Sequence, residues 1–108
     1  MRRGEVWWVN LDPAIGTEIK KTRPAVIISN DSANKFLNRV QIIPLTSNVE
    51  NCYPSEAIIK LNGKDSKAMA DQITTADKKR LQDKIGSLSS KDMVAIEKAV
   101  KIQLGLPL

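Results

Sequence analysis

Residues 20–31 read KKTRPAVIISND. Charge gives way after Pro24 to a run of apolar, mostly β-branched side chains at positions 25–28. Apolar residues at consecutive positions read as a strand covered on both faces, so AVIIS at residues 25–29 is expected to be one. The polar residues that follow supply a helix start, with Asp31 or Ser32 as N-cap and room for about two turns. Arg23 stands at the mouth of this strand. Pro24 biases the residue before it towards extended backbone, which holds the guanidinium at a strand entrance rather than on a loose tip.

Upstream, EVWWV at residues 5–9 is short and β-prone, with one tryptophan expected in the core and the other partly exposed. Residues 10–24 carry two prolines and a glycine and read as a long loop, a length usually tied to function. Downstream, VQIIPL at residues 40–45 is a third strand, with Pro44 expected at a sheet edge or near the strand end. Residues 46–56 are turn-like. AIIKL at residues 57–61 is a strand and the NGKD that follows is a strong turn. KAMADQI at residues 67–73 reads as a strand, residues 74–84 as mixed with one helical turn begun by Thr75, and IGSL at residues 85–88 as a short strand or connector.

Residues 89–105 differ. Ser89 is the cap candidate, Asp92 follows at the capping-box position, and Met93, Ile96, Val100 and Leu104 recur at helical spacing. Gly105 and Pro107 stop the pattern. An amphipathic helix of about four turns is expected to cap a small β-barrel or sheet. There are no repeats and no domain boundary, so residues 1–108 are expected to be a single domain.

Composition narrows the chemistry. The chain has 17 Lys and Arg against 12 Asp and Glu, a net charge of +5, which favours an anionic partner. It has no histidine and one cysteine, Cys52, so no internal disulfide forms and Ser–His and Cys–His nucleophile pairs are excluded. No zinc-ligand spacing, Walker loop or GxGxxG is present, and no metal or cofactor is expected. The N-terminal apolar stretch spans only residues 6–9, too short for a signal peptide or membrane span, so a cytoplasmic chain is expected.

What remains is arginine, lysine, carboxylate and hydroxyl, a set suited to phosphate. Arginine clamps phosphate oxygens through a planar fork and stays charged at any working pH. Arg23 is the first candidate; the plainer reading is a loop arginine paired with Glu18 or Asp12. Thr46, closing the third strand, is the second; otherwise its hydroxyl simply meets a backbone group. Asp71 and Gln72 read equally as a solvated strand edge, and Lys78, Lys79 and Arg80 as a solvated face.

Taken in order, RRGEVWWVNLDPAIGTE, TRPAVIISND, IIPLTS, DQITTADKKRL and IGSLSSKDMVAIEKAVKIQLGL resemble the MazF/PemK family of toxin endoribonucleases, over nearly the whole chain. The resemblance implies an SH3-like, mostly β barrel with short helices and a C-terminal helix, assembled as a homodimer. It implies metal-independent cleavage of single-stranded RNA and neutralisation by an acidic antitoxin of the MazE type. Arg23 and Thr46 fall on positions the family uses for catalysis. Glu18 and Asp71 become acid–base candidates and Gln72 an RNA-orienting one, with Thr17, Lys20, Lys21, Ser47 and Asn48 as further RNA contacts. Relatives of the PemK-like branch carry a histidine about where Thr17 lies and an arginine where Met69 lies, so the chain looks closer to the branch relying on arginine and threonine. Two other classes stay open: the CcdB-type gyrase poisons, which share the fold but have no RNA chemistry and against which TRP at residues 22–24 and PLTS at residues 44–47 argue, and a family member that binds RNA or antitoxin without cutting.

Overall fold

The computed structural model describes every residue except Ala14, Ile19 and Lys20. Strands β1 (Glu5–Asn10) and β2 (Thr22–Ile27) precede a short helix α1 (Asp31–Phe36). Strands β3 (Arg39–Thr46), β4 (Glu56–Leu61), β5 (Lys64–Met69), β6 (Thr74–Asp77) and β7 (Leu81–Ser87) follow, then helix α2 (Ser90–Leu104). The sheet is antiparallel, ordered β4-β5-β3-β2-β1-β7, with β6 on β3.

β3 is the hub. On one flank it pairs with β2 through Ile42, Ile43 and Pro44. On the other it pairs with β6 over residues 39–42 and with β5 at Leu45 and Thr46. Pro44 therefore lies near the strand end, as expected, but it is fully buried and pairs with Ala25 instead of lying at an edge. It falls where β3 passes from β6 to β5, where a residue without an N–H is tolerated.

Consecutive residues of the central strands enter different cores. Val26, Ile43 and Leu45 join one with Val6, Ile59 and, from α2, Met93, Ile96 and Ala99. Ala25, Ile27 and Ile42 join the other with Val9, Val40, Ala76 and Leu81. Two-sided burial is why these strands are apolar without alternation.

Turns and caps set the rest. Asn62 and Gly63 both have positive φ, +50° and +81°, the hairpin geometry that Asn-Gly favours. The N-cap of α1 is Asn30, whose side chain accepts from Ala33 N at 2.8 Å, one residue ahead of the expected Asp31 or Ser32. β2 starts at Thr22, not after Pro24. The expected strand at residues 67–73 stops at Met69 and tightens into a 3-10 turn, Ala70–Gln72. Thr75 lies in β6 instead of starting a helical turn; that turn is Lys78–Arg80, capped by the Asp77 side chain.

The cap of α2 is Ser89, as expected, accepting from Asp92 N at 3.1 Å. Asp92 Oδ2 accepts from Lys60 N at 3.0 Å, which ties the helix to β4. At the other end Gly105 is left-handed, Gly105 N donates to Ile102 O and Leu106 N to Lys101 O, a paired C-terminal closure. Most of the expected apolar stripe packs inward: Met93 and Ile96 are buried, Val100 packs against the same core, Ala99 joins them, and Leu104 departs from it at 53% exposed.

The sheet curls until its two ends meet. β7 takes two irregularities against β1, each leaving an extra β7 residue, which bends it. Asn62, at the tip of the β4–β5 hairpin, donates through Nδ2 to Ile85 O at 3.4 Å. A Cβ on Gly86 would lie 2.9 Å from Asn62 Oδ1 and 3.6 Å from Leu61 Cδ1. Gly86→Val is accordingly expected to destabilise the fold by about 1–3 kcal/mol through overpacking; a melting temperature equal to that of the unchanged chain would count against this closure.

Candidate active site

Arg23 is the second residue of β2, opposite Val9 of β1, and Pro24 is opposite Trp8. The extended backbone expected of a residue before proline is what the strand provides. Thr46 is the last residue of β3. The two meet in a cleft of about 330 Å³ lined by Trp8, Lys21, Thr22, Arg23, Pro24, Leu45, Thr46, Ser47 and Ser66. Two strands, a loop end and β5 thus place an arginine, a lysine and three hydroxyl-bearing residues beyond Thr22 against one apolar wall.

Local bonds fix this wall. The Thr46 hydroxyl oxygen accepts from Asn48 N at 3.2 Å, and Asn48 Oδ1 accepts from Glu50 N at 3.1 Å. With an incoming N–H on its oxygen, the hydroxyl keeps its own proton to donate into the cleft. Lys21 sits in the left-handed region, φ +71°. That conformation is unfavourable for a residue with a Cβ and is held by Lys21 N donating to Asp12 Oδ1 at 2.9 Å and Leu11 N donating to Lys21 O at 3.0 Å. The carboxylates expected to neutralise Arg23 on the plainer reading have these other contacts: Asp12 with Lys21 N, and Glu18 Oε1 with Ile15 N at 2.6 Å.

The other sequence candidates gather elsewhere. Thr17, Glu18, Asp71 and Gln72 line a second cleft of about 420 Å³ with Thr74, Thr75 and Arg80, and it shares no lining residue with the first. Glu18 and Asp71 are therefore not brought together with Arg23 and Thr46. Asn48 borders the first cleft only through its bond to Thr46, and Lys20 lies outside the described residues. The basic run is largely structural: Arg80 Nη1 donates to Asn10 O at 3.0 Å and Asp12 O at 2.5 Å, and Lys78 Nζ to Asn34 O. Among the described residues no three His, Cys, Asp or Glu side chains gather as a metal site.

Sequence reading missed the placement of Trp8 and Ser66. The signal for Trp8 was the WW pair: Trp7 is half-buried, and Trp8, 40% exposed, faces the cleft. Ser66 gave none, because a serine in an alternating hairpin strand reads as solvated.

At the opposite end of β1 from this cleft, the anchor is Glu5, the first residue of the strand. Its carboxylate accepts from Arg2 N at 2.9 Å and Trp7 Nε1 at 3.0 Å, and pairs with Lys84 Nζ at 3.1 Å. Burial pushes its pKa up, but the Arg2 N–H, the Trp7 indole and Lys84 outweigh that and lower it to about 2.

A mostly β, curled sheet with a C-terminal helix and an arginine–threonine cleft makes this a small basic domain with a site suited to an anion, and comparison places it. Residues 2–104 match the family described as PemK-like, MazF-like toxin of type II toxin-antitoxin system, and the chain belongs to that family. It is 38% identical to endoribonuclease MazF9 of Mycobacterium tuberculosis, over 98% of each chain. It is 38% identical to endoribonuclease MazF of Staphylococcus saprophyticus, over 98% of this chain and 92% of that one. Among solved structures, an endoribonuclease in complex with its cognate antitoxin from a mycobacterial species superposes with a TM-score of 0.84 at 26% identity, covering 100% of this chain and 98% of that one. MazF of Deinococcus radiodurans, at 23% identity, shares the fold with a TM-score of 0.87 over 98% and 97% of the two chains.

The Glu5 pKa gives a signed pH dependence. A carboxylate held at about 2 against an ordinary 4.5 stabilises the fold above pH 4.5 and loses that contribution as pH falls towards 2. Glu5→Gln is expected to lower stability at neutral pH by roughly 1–3 kcal/mol, with the difference vanishing at the acid end. Denaturant melts of both chains across that range check it, and a pH-independent difference would refute the assignment.

Proposed function

We propose that the chain is a toxin endoribonuclease that cuts single-stranded RNA by attack of a ribose 2′-hydroxyl on the adjacent phosphate. The products are a 2′,3′-cyclic phosphate and a free 5′-hydroxyl. The observation that carries this reading is the convergence of Arg23 and Thr46, from two different strands, on one cleft. Negative charge gathers on the phosphoryl oxygens in the transition state, and a guanidinium held at a strand end stabilises it electrostatically. The Thr46 hydroxyl, its oxygen already occupied by Asn48 N, donates to a second phosphate oxygen and helps hold the attack in line. Lys21 and Ser47 contact the backbone on either side, and the exposed face of Trp8 offers a base a stacking surface. Glu18, Asp71, Gln72 and Thr17, in the wider cleft, are read as contacts to flanking nucleotides, not as proton-transfer groups.

The net charge of +5 suits both RNA and an acidic antitoxin that covers the same groove. Relatives solved with a cognate antitoxin support such a partner here. A homodimer is part of the same proposal, supported by exposed apolar side chains such as Phe36 and Val94. Among the described residues no helix is long and apolar enough to cross a membrane.

Arg23→Ala is expected to lower the cleavage rate by roughly two orders of magnitude, about 3 kcal/mol of transition-state stabilisation, with the melting temperature kept. Arg23→Lys recovers little, since a point charge lacks the planar fork. Thr46→Ala loses less than Arg23→Ala, a neutral donor being weaker than a charged one. Initial rates and melts on these three variants decide it; a folded Arg23→Ala chain that cuts normally sinks the mechanism.

Metal independence has its own check. With no histidine in the sequence and, among the described residues, no three carboxylates or other ligands gathered to hold an ion, cleavage of an unstructured RNA is expected to continue unchanged in EDTA. Activity that is lost with chelator and restored by Mg²⁺ or Mn²⁺ contradicts it.

A further inference from the structure

Across the ladder from Thr46, on β5, stands Lys67. It is only 7% exposed, an unusual place for an ammonium, which must be paired when taken out of water. Its Nζ donates to Glu50 O at 3.1 Å and lies 3.4 Å from Glu56 Oε1. The same Glu56 oxygen accepts from Tyr53 N at 3.0 Å, and Glu56 N donates back to Tyr53 O at 2.9 Å. At the other end of the segment, Thr46 Oγ1 accepts from Asn48 N and Asn48 Oδ1 from Glu50 N. The cleft hydroxyl and the buried ammonium are therefore two ends of one bonded run, Thr46 to Asn48 to Glu50 to Lys67, with Glu56 fastening the far side of residues 47–55.

We propose that Lys67 is a positioning residue for RNA cleavage: by anchoring Glu50 and Glu56 it fixes the shape of residues 47–55 beside Thr46, and so selects which RNA sequence the cleft accepts. This rests on the reading of Thr46 as a phosphate contact. Single-stranded RNA is read by how loops splay and hold its bases, so a rigid segment bearing Ser47 next to the cut phosphate acts as a template. A loop bonded to a buried charge is held to one shape, because slippage would take Glu50 O away from the ammonium and leave it Glu56 alone. Were the pair only a stability device, apolar or neutral replacements of similar size would restore the fold and leave the cut sites alone.

The test uses the full chain and a long, unstructured RNA whose 5′-hydroxyl ends are mapped. The double variant Lys67→Met with Glu56→Gln removes both charges, while the side-chain amide oxygen introduced at position 56 still accepts from Tyr53 N. It is expected to melt near the unchanged chain, to exchange the Asn48 and Glu50 amides faster, and to cut additional sequences. At the preferred site kcat/KM is expected to fall about tenfold, mostly through KM, as for a misplaced positioning group. Lys67→Arg keeps the ion pair but cannot set its planar head in the same place, so it is expected to shift the cut pattern in the same direction to a smaller extent. An unchanged cut pattern and kcat/KM in either folded variant overturns the proposal. Thr46→Ala runs alongside: if it cleaves at the normal rate, the reading of Thr46 fails, whereas a slow Thr46→Ala with unaltered Lys67 variants rejects the positioning role alone.

Discussion

Everything in this fold depends on β3 keeping three neighbours at once. A strand that pairs with β2 on one flank and hands over from β6 to β5 on the other forces the sheet to bend at Pro44. Hydrogen bonding is thereby satisfied on both flanks while the side chains of Ile42 and Ile43 feed separate cores. Burying both faces in a chain of 108 residues is economical, because a small domain has little surface to spare. The bend also delivers Thr46 to the rim, next to the start of β2, where Arg23 is.

The legible parts of the fold were those in which a local rule and the tertiary context agree. The apolar run at residues 25–28 announced a buried strand and that at 40–45 a third strand, Asn62-Gly63 announced its hairpin, and Ser89 and Gly105 bracketed α2. Misreadings arose where several polar residues compete for one cap, as at residues 30–32, or where burial is decided by distant elements. Leu104 fits the helical stripe, yet it is left exposed. The whole of β7 was seen only in part, since its two irregularities against β1 break the alternation that would have marked it.

The candidate site was readable to a similar degree. Arg23 and Thr46 were singled out by residue chemistry and by strand-end position, and they do share a cleft. That Glu18 and Asp71 belong to a different cleft was not readable, because it depends on contacts between residues far apart in the chain, such as Arg80 donating to the carbonyls of Asn10 and Asp12. Lys67 was hidden for an electrostatic reason: lysine in a short hairpin strand reads as exposed, and only the partners at Glu50 and Glu56 account for its burial.

The meeting of the sheet's ends has a mechanical side. Neighbouring strands along the sheet are joined by ladders, whereas the join between the β4–β5 hairpin tip and β7 consists of a side-chain amide on one carbonyl and close packing at Gly86. A seam of that kind is the place where a barrel parts first. Native-state opening should therefore begin as a hinge of the hairpin away from β7, drawing α2 with it through the Asp92–Lys60 bond, while the β1-β2-β3 ladder stays closed. Opening at that seam leaves the β2–β3 ladder, with Arg23 and Thr46 at its end, closed.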